Sequence, residues 1–181
     1  MIDPMLTVGV DVGGTKIACV VTDSADSIIY SHTVPTDRGR LSTQVAEVAS
    51  IASRSPDVAR RGLVRAIGVA VPGQVEPRAG SMDLAVNLGG ADVDLASLVE
   101  SATGLPCYLE HDARAAAQWV YEHTSAADGE RRDLAYISIG TGIAAGIVLN
   151  GRVLAGETGL AGEIGHALAD PNGPRCACGL D

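Results

Sequence analysis

The sequence predicts an α/β protein made of two related lobes. Three observations carry that expectation. Strand-like runs open the chain and give way to alternating helices and strands up to about residue 123. A second strand–turn–strand unit then begins and resembles the opening of the first, as a partial internal repeat of one architecture does. Hydrophobic residues make up 46% and charged residues 19%, enough for a packed core, and with no Phe and 3% aromatics that core is aliphatic. The length, 181 residues, suits one ordinary domain and is marginal for two.

The elements follow in order. Residues 6–12 alternate and end in Gly13-Gly14, residues 16–23 are rich in Ile, Val and Ala, and residues 27–35 form a third run. Their short connections suit an antiparallel meander. The period then changes. Leu41, Val45, Val48, Ala49 and Ala52 fall at helical spacing, with Pro56 as a stop. Residues 65–71 read as a buried strand ended by Pro72-Gly73, and residues 74–90 as a loop. Asp92 or Asp94 caps a helix to about Thr103, residues 107–110 form a strand, and Asp112 opens a helix to about His123. Beyond a polar loop, strands are expected at 134–139 and 143–149, with Asn150-Gly151 as a hairpin turn into 152–154.

The net charge is −9 and no basic patch stands out, which argues against nucleic acid as a partner. No apolar run reaches membrane-spanning length and no signal segment is evident, so a cytoplasmic protein is expected. Lys16 is the single lysine among 13 basic residues. Of the four cysteines, Cys19 and Cys107 lie in apolar strand-like stretches and read as buried thiols. Cys176 and Cys178, following His166, suggest a metal site rather than a disulfide framework.

The segment Asp11-Val12-Gly13-Gly14-Thr15-Lys16 joins two strands. It is therefore neither a P-loop nor a dinucleotide-binding turn, both of which lead into a helix. The chemistry is related. Gly13 and Gly14 lack Cβ atoms, so backbone N–H groups can approach phosphate oxygens. Thr15 adds a hydroxyl, Lys16 a positive charge, and Asp11 an oxygen ligand for Mg²⁺, directly or through water. Two glycines alone would make a plain hairpin; the flanking Asp, Thr and Lys point to phosphate. Gly140-Thr141-Gly142 is a second strand–turn–strand loop, weak alone, and with the first it reads as the other half of a triphosphate clamp.

The order of these motifs resembles the ROK family of bacterial sugar kinases and sugar-responsive repressors. The resemblance rests on residues 11–16, Glu110-His111-Asp112, Ile139-Gly140-Thr141-Gly142-Ile143 and Ala161-Gly162-Glu163-Ile164-Gly165-His166, and it runs over nearly the whole chain. Asp170-Pro171-Asn172-Gly173-Pro174 with Cys176-Ala177-Cys178-Gly179 is similar to the family's zinc motif. The resemblance implies an actin-like ATPase, ribonuclease-H-like fold, with the N-terminal lobe (1–123) complete and the C-terminal lobe (124–181) incomplete. It implies ATP with Mg²⁺ as phosphoryl donor. Asp112, which spacing alone would make a helix N-cap, becomes the general base that takes the proton from the attacking sugar hydroxyl. Asn87, His111, Asp112, Glu163 and His166 become sugar contacts, although Asn87 lacks the family's following Pro and fits a turn equally well. A structural Zn²⁺ falls to His166, Cys176 and Cys178, with its fourth ligand absent from the chain. Two departures stand out: His111 and Arg114 occupy positions where the family commonly has Asn.

The expected function is ATP-dependent phosphorylation of a hexose, with the 181-residue chain inactive alone; the resemblance allows a homodimer, a common state of the family. The alternative is the sugar-binding effector domain of a ROK-type repressor. Some repressor-type relatives carry His at the position of His111, which favours the alternative. An intact phosphate hairpin, and a first strand starting near Leu6 with no room for a DNA-binding segment before it, favour the kinase.

Overall fold

The computed structural model describes residues 5–76, 81–84, 94–124, 133–140, 142–171 and 173. The chain divides into two compact units, Met1–His111 and Asp112–Asp181.

In the first unit, β1 (Met5–Val12), β2 (Lys16–Thr22) and β3 (Ile28–Pro35) form the expected antiparallel meander. Alternation drives it: Leu6, Val8, Val10 and Val12 on β1, and Ile17, Cys19 and Val21 on β2, all point into the core. Helix α1 (Leu41–Ser53) buries the five residues whose spacing marked it, Leu41, Val45, Val48, Ala49 and Ala52. Pro56 ends that helix and also opens a one-turn helix, α2 (Pro56–Ala59), because the first helical position needs no N–H.

Strand β4 (Leu63–Val71) lies parallel to β1. Residues 74–90, expected as a loop, contain two short strands, β5 (Gly73–Glu76) and β6 (Ser81–Leu84), paired antiparallel. At four residues each they are too short to display a period in the sequence. Helix α3 (Leu95–Thr103) is capped by Asp94, whose Oδ1 accepts from the Ser97 N–H at 2.9 Å. It leads to β7 (Cys107–His111), parallel to β4. The sheet order is β3-β2-β1-β4-β7. One face packs its Val, Ile and Leu side chains against α1 and α3 in an aliphatic core. Cys19 and Cys107 are buried free thiols, as expected, and burial pushes both up to about 11.

In the second unit, α4 (Asp112–Thr124) covers a sheet of β8 (Leu134–Ile139), β9 (Ile143–Leu149) and β10 (Arg152–Val153), ordered β10-β9-β8. Asn150 and Gly151, at φ 50° and 75°, make the hairpin turn that their sequence announced. The lobe boundary expected at 123/124 differs from the division at His111/Asp112 because α4 packs with β8 and β9. The contact is close. A Cβ on Gly146 of β9 would overlap the carbonyl oxygen of Ala113 and the methyl of Ala117. Small residues on both sides let backbone meet backbone, and the buried Tyr121 closes the far end against Val148. Among the described residues no helix is long and apolar enough to cross a membrane.

Gly146→Ala is therefore expected to lower stability by about 1–3 kcal/mol, the usual range for overpacking. Gly9→Ala, whose added methyl meets only an ordinary 3.5 Å contact with Val20, is expected to change little. Chemical denaturation of both variants checks the difference.

Candidate active site

Parallel pairing gathers distant residues at one sheet edge. The register sets Asp11 beside Ala70, and Ala70 beside Glu110. Asp11 and Glu110 thus share a row two strands apart, roughly 10 Å at the usual strand spacing. Val71 and His111 pair one residue further on, where β7 ends. Open α/β sheets bind ligands off the carboxyl ends of their parallel strands. In this unit those ends carry the Gly13–Lys16 hairpin and the Glu110–His111 pair.

The hairpin is held from two sides. The Gly13 N–H donates to the Lys16 carbonyl at 2.9 Å. A Cβ on Gly13 would stand 2.9 Å from that same oxygen, so the turn needs glycine there. Beyond β3, Thr36 donates its N–H to the Thr15 carbonyl at 3.0 Å and its hydroxyl to the Gly13 carbonyl at 2.7 Å. With both carbonyls engaged, the Gly14 and Thr15 N–H groups have no acceptor among the described residues. The space beside Gly14 is open to 4 Å. Lys16 is exposed and makes no ion pair among the described residues. Free N–H donors, a hydroxyl and an uncompensated ammonium form a surface suited to an anion. His111 is 4% exposed, and its backbone N–H donates to Glu110 Oε1 at 2.7 Å.

The second unit holds the other candidates. Asp112 opens α4, half-buried, and its Oδ1 accepts from the Ala113 N–H at 2.6 Å. It lies within the first turn of the helix, directly after β7. The Gly140 N–H donates to the Gly142 carbonyl at 2.9 Å and closes the β8–β9 loop. Glu163 precedes a 3-10 turn, Ile164–His166, and its Oε2 lies 3.6 Å from His166 Nε2. The neighbouring Gly162, at φ 102°, accepts through its carbonyl from the N–H groups of Ala145 and Ile164, each at 2.7 Å. A Cβ there would overlap the Ala145 carbonyl oxygen, so the chain at Glu163 is pinned to β9.

Asn87, Thr141, Cys176 and Cys178 lie outside the described residues. Of the expected zinc ligands only His166 is placed, and no group of three or more metal-binding side chains occurs among the described residues.

Two residues escaped the reading of the sequence. Thr36 stands 23 residues from Gly13 and gives no local signal. Arg114 was visible only as a departure from a motif. It is 1% exposed and donates from Nη1 to the Gly159 carbonyl at 2.7 Å. Its spacing of three before the buried Ala117 was the available clue. Thr36→Val is expected to leave the fold intact and to speed amide exchange at Gly13 by about 2–10-fold, the worth of one ordinary hydrogen bond. Exchange followed by NMR measures this.

Comparison with known proteins supplies the family. The sequence pattern of the ROK family matches residues 7–181. An N-acetylmannosamine kinase of Salmonella typhimurium is 35% identical over 189 aligned positions, covering 97% of this chain and 58% of the kinase. A ROK family glucokinase from Streptomyces griseus, solved with glucose and AMPPNP, is 32% identical with a TM-score of 0.80, over 96% of this chain and 54% of its own. A ROK family transcriptional regulator, a homologue of the E. coli MLC protein, is 27% identical with a TM-score of 0.79, over 97% of this chain and 44% of its own. The chain thus spans about half the length of these relatives. The fold is the actin-like ATPase fold of the ROK sugar kinases. With that fold and a pattern match over residues 7–181, the chain belongs to the ROK family.

Proposed function

We propose that the protein transfers the γ-phosphoryl group of ATP to a hydroxyl of a hexose. The observation that carries this reading is the hairpin. Its Gly14 and Thr15 N–H groups and the Lys16 ammonium are uncommitted among the described residues, and that is the equipment a polyphosphate needs. Kinase relatives that act on N-acetylmannosamine, and a glucokinase neighbour solved with glucose and AMPPNP, support it.

In this reading the Gly13–Lys16 hairpin and the Gly140-Thr141-Gly142 loop hold the phosphates, and Asp11 would hold Mg²⁺. That ion, when bound, neutralises charge on the phosphate oxygens. Asn87, His111, Glu163 and His166 orient the sugar, with the Glu163 carboxylate accepting from two neighbouring hydroxyls. The Asp112 carboxylate takes the proton of the attacking hydroxyl as the sugar oxygen bonds to the γ-phosphorus. The bond from that phosphorus to the bridging oxygen breaks, and ADP leaves. His166, Cys176 and Cys178, an imidazole with two thiols, are a chemically suitable set for a structural Zn²⁺. The need for ATP fits a cytoplasmic setting, and a homodimer fits the family.

The second reading is the sugar-binding effector domain of a repressor. His111 favours it, since some repressor-type relatives carry His at that position, and a ROK regulator is among the solved structures of similar fold. Such a domain binds sugar without turning over ATP.

Asp112→Asn in the intact protein is expected to lower kcat by about 10²–10⁴-fold, the usual worth of a general base. Sugar affinity, read by calorimetry, is expected to change little. Retained turnover would remove Asp112 from the role of base.

A further inference from the structure

We propose that Arg114 is a positioning residue for the sugar site: it grips, from inside the second unit, the loop that presents Glu163. This rests on the sugar-kinase reading above. The loop leaves β10 and returns to β9. The Ala161 N–H donates to the Ala155 carbonyl at 3.1 Å and closes its neck. Gly162 then docks on Ala145 of β9 through its carbonyl at 2.7 Å. Between those fixed points the tip turns at Gly156 and Gly159, at φ 76° and 73°.

The large apolar side chains of the loop, Leu154 and Leu160, are 39% and 48% exposed. Arg114 reaches the tip from α4. Arg114 shares the buried face of α4 with Ala113, Ala117 and Tyr121. Its Nη1 donates to the Gly159 carbonyl at 2.7 Å, in a position 1% exposed to solvent. A guanidinium removed from water is costly unless its donors are used, so breaking this bond disfavours the loop's present course. Glu163 lies four residues beyond Gly159 and one beyond the docked Gly162. Its carboxylate direction depends on where that backbone sits, and a vicinal diol tolerates little misplacement. Arg114 thereby acts on the sugar through the loop, without acting on the reacting atoms.

The test uses the intact protein carrying Arg114→Gln, with ATP and hexoses as substrates. Two readouts are taken: hydrogen exchange of the 155–163 segment by mass spectrometry, and steady-state kinetics for sugar and ATP. The expected result is about tenfold faster exchange in that segment. The KM for sugar is expected to rise about tenfold, on the order of one charge-assisted hydrogen bond, with kcat and the KM for ATP within about twofold. Arg114→Lys, which keeps a cationic donor, is expected to recover part of the sugar KM. Should Arg114→Gln fail to fold, Gly159→Ala strains the acceptor at its positive φ and is expected to raise the sugar KM in the same way.

Unchanged exchange overturns the proposal. So does faster exchange with an unchanged sugar KM, or a loss confined to kcat. A wild-type protein inactive on every hexose, with the exchange difference still present, defeats the sugar reading of Glu163 and this role of Arg114 with it, and the persisting exchange difference tells that failure apart from a failure of the anchor.

Discussion

The first unit depends on the parallel alignment of β1, β4 and β7. Residues near positions 11, 70 and 110 are far apart in sequence, and only ladder register brings them level. A slip of one residue would turn Asp11 into the core and Val12 out of it, because side chains alternate along a strand. The aliphatic core forbids that slip, since Val10, Val69 and Leu109 pack as one row beneath α1 and α3. Chemistry-bearing residues on the strand ends are therefore located by hydrophobic residues that never meet a ligand. The hairpin gains its uncommitted donors from the same frame, because β3 returns Thr36 to occupy the two carbonyls.

The second unit is organised by close approach. Gly146 admits the backbone of α4 against β9, and Gly162 admits the loop against Ala145. Both positions exclude any side chain, so α4 and the residue before Glu163 each lie in close steric contact with β9. Arg114 fits this pattern as a polar clasp among alanines. It is a departure from the commoner Asn of the family, and the structure gives it a packing role that a shorter side chain cannot fill in the same way.

The strands and long helices were legible because period and punctuation agree. The alternation of β1, the helical spacing of Leu41 to Ala52 and the Asn150-Gly151 turn each carried their own signal. The β5–β6 pair was not legible, because four-residue strands beside turn residues present no period. In the sequence α4 looks like the close of one alternating series, and its packing on β9 through Gly146 and Ala117 is a tertiary contact with no local signal. At the candidate site, the glycines, Lys16 and Asp112 were visible as a pattern of types. Thr36 was invisible because its bonds span 21 and 23 residues. Arg114 was seen as an oddity, without its Gly159 partner, for the same reason.

The uncommitted hairpin donors and Asp112 are assigned here to phosphoryl transfer to a sugar. The most direct measurement is ADP release by the intact protein with ATP, Mg²⁺ and a panel of hexoses including glucose and N-acetylmannosamine. Release is expected to depend on both ATP and one of the sugars, with matching appearance of sugar phosphate. Sugar binding by calorimetry with no ADP release for any hexose would contradict it and leave the effector-domain reading in its place.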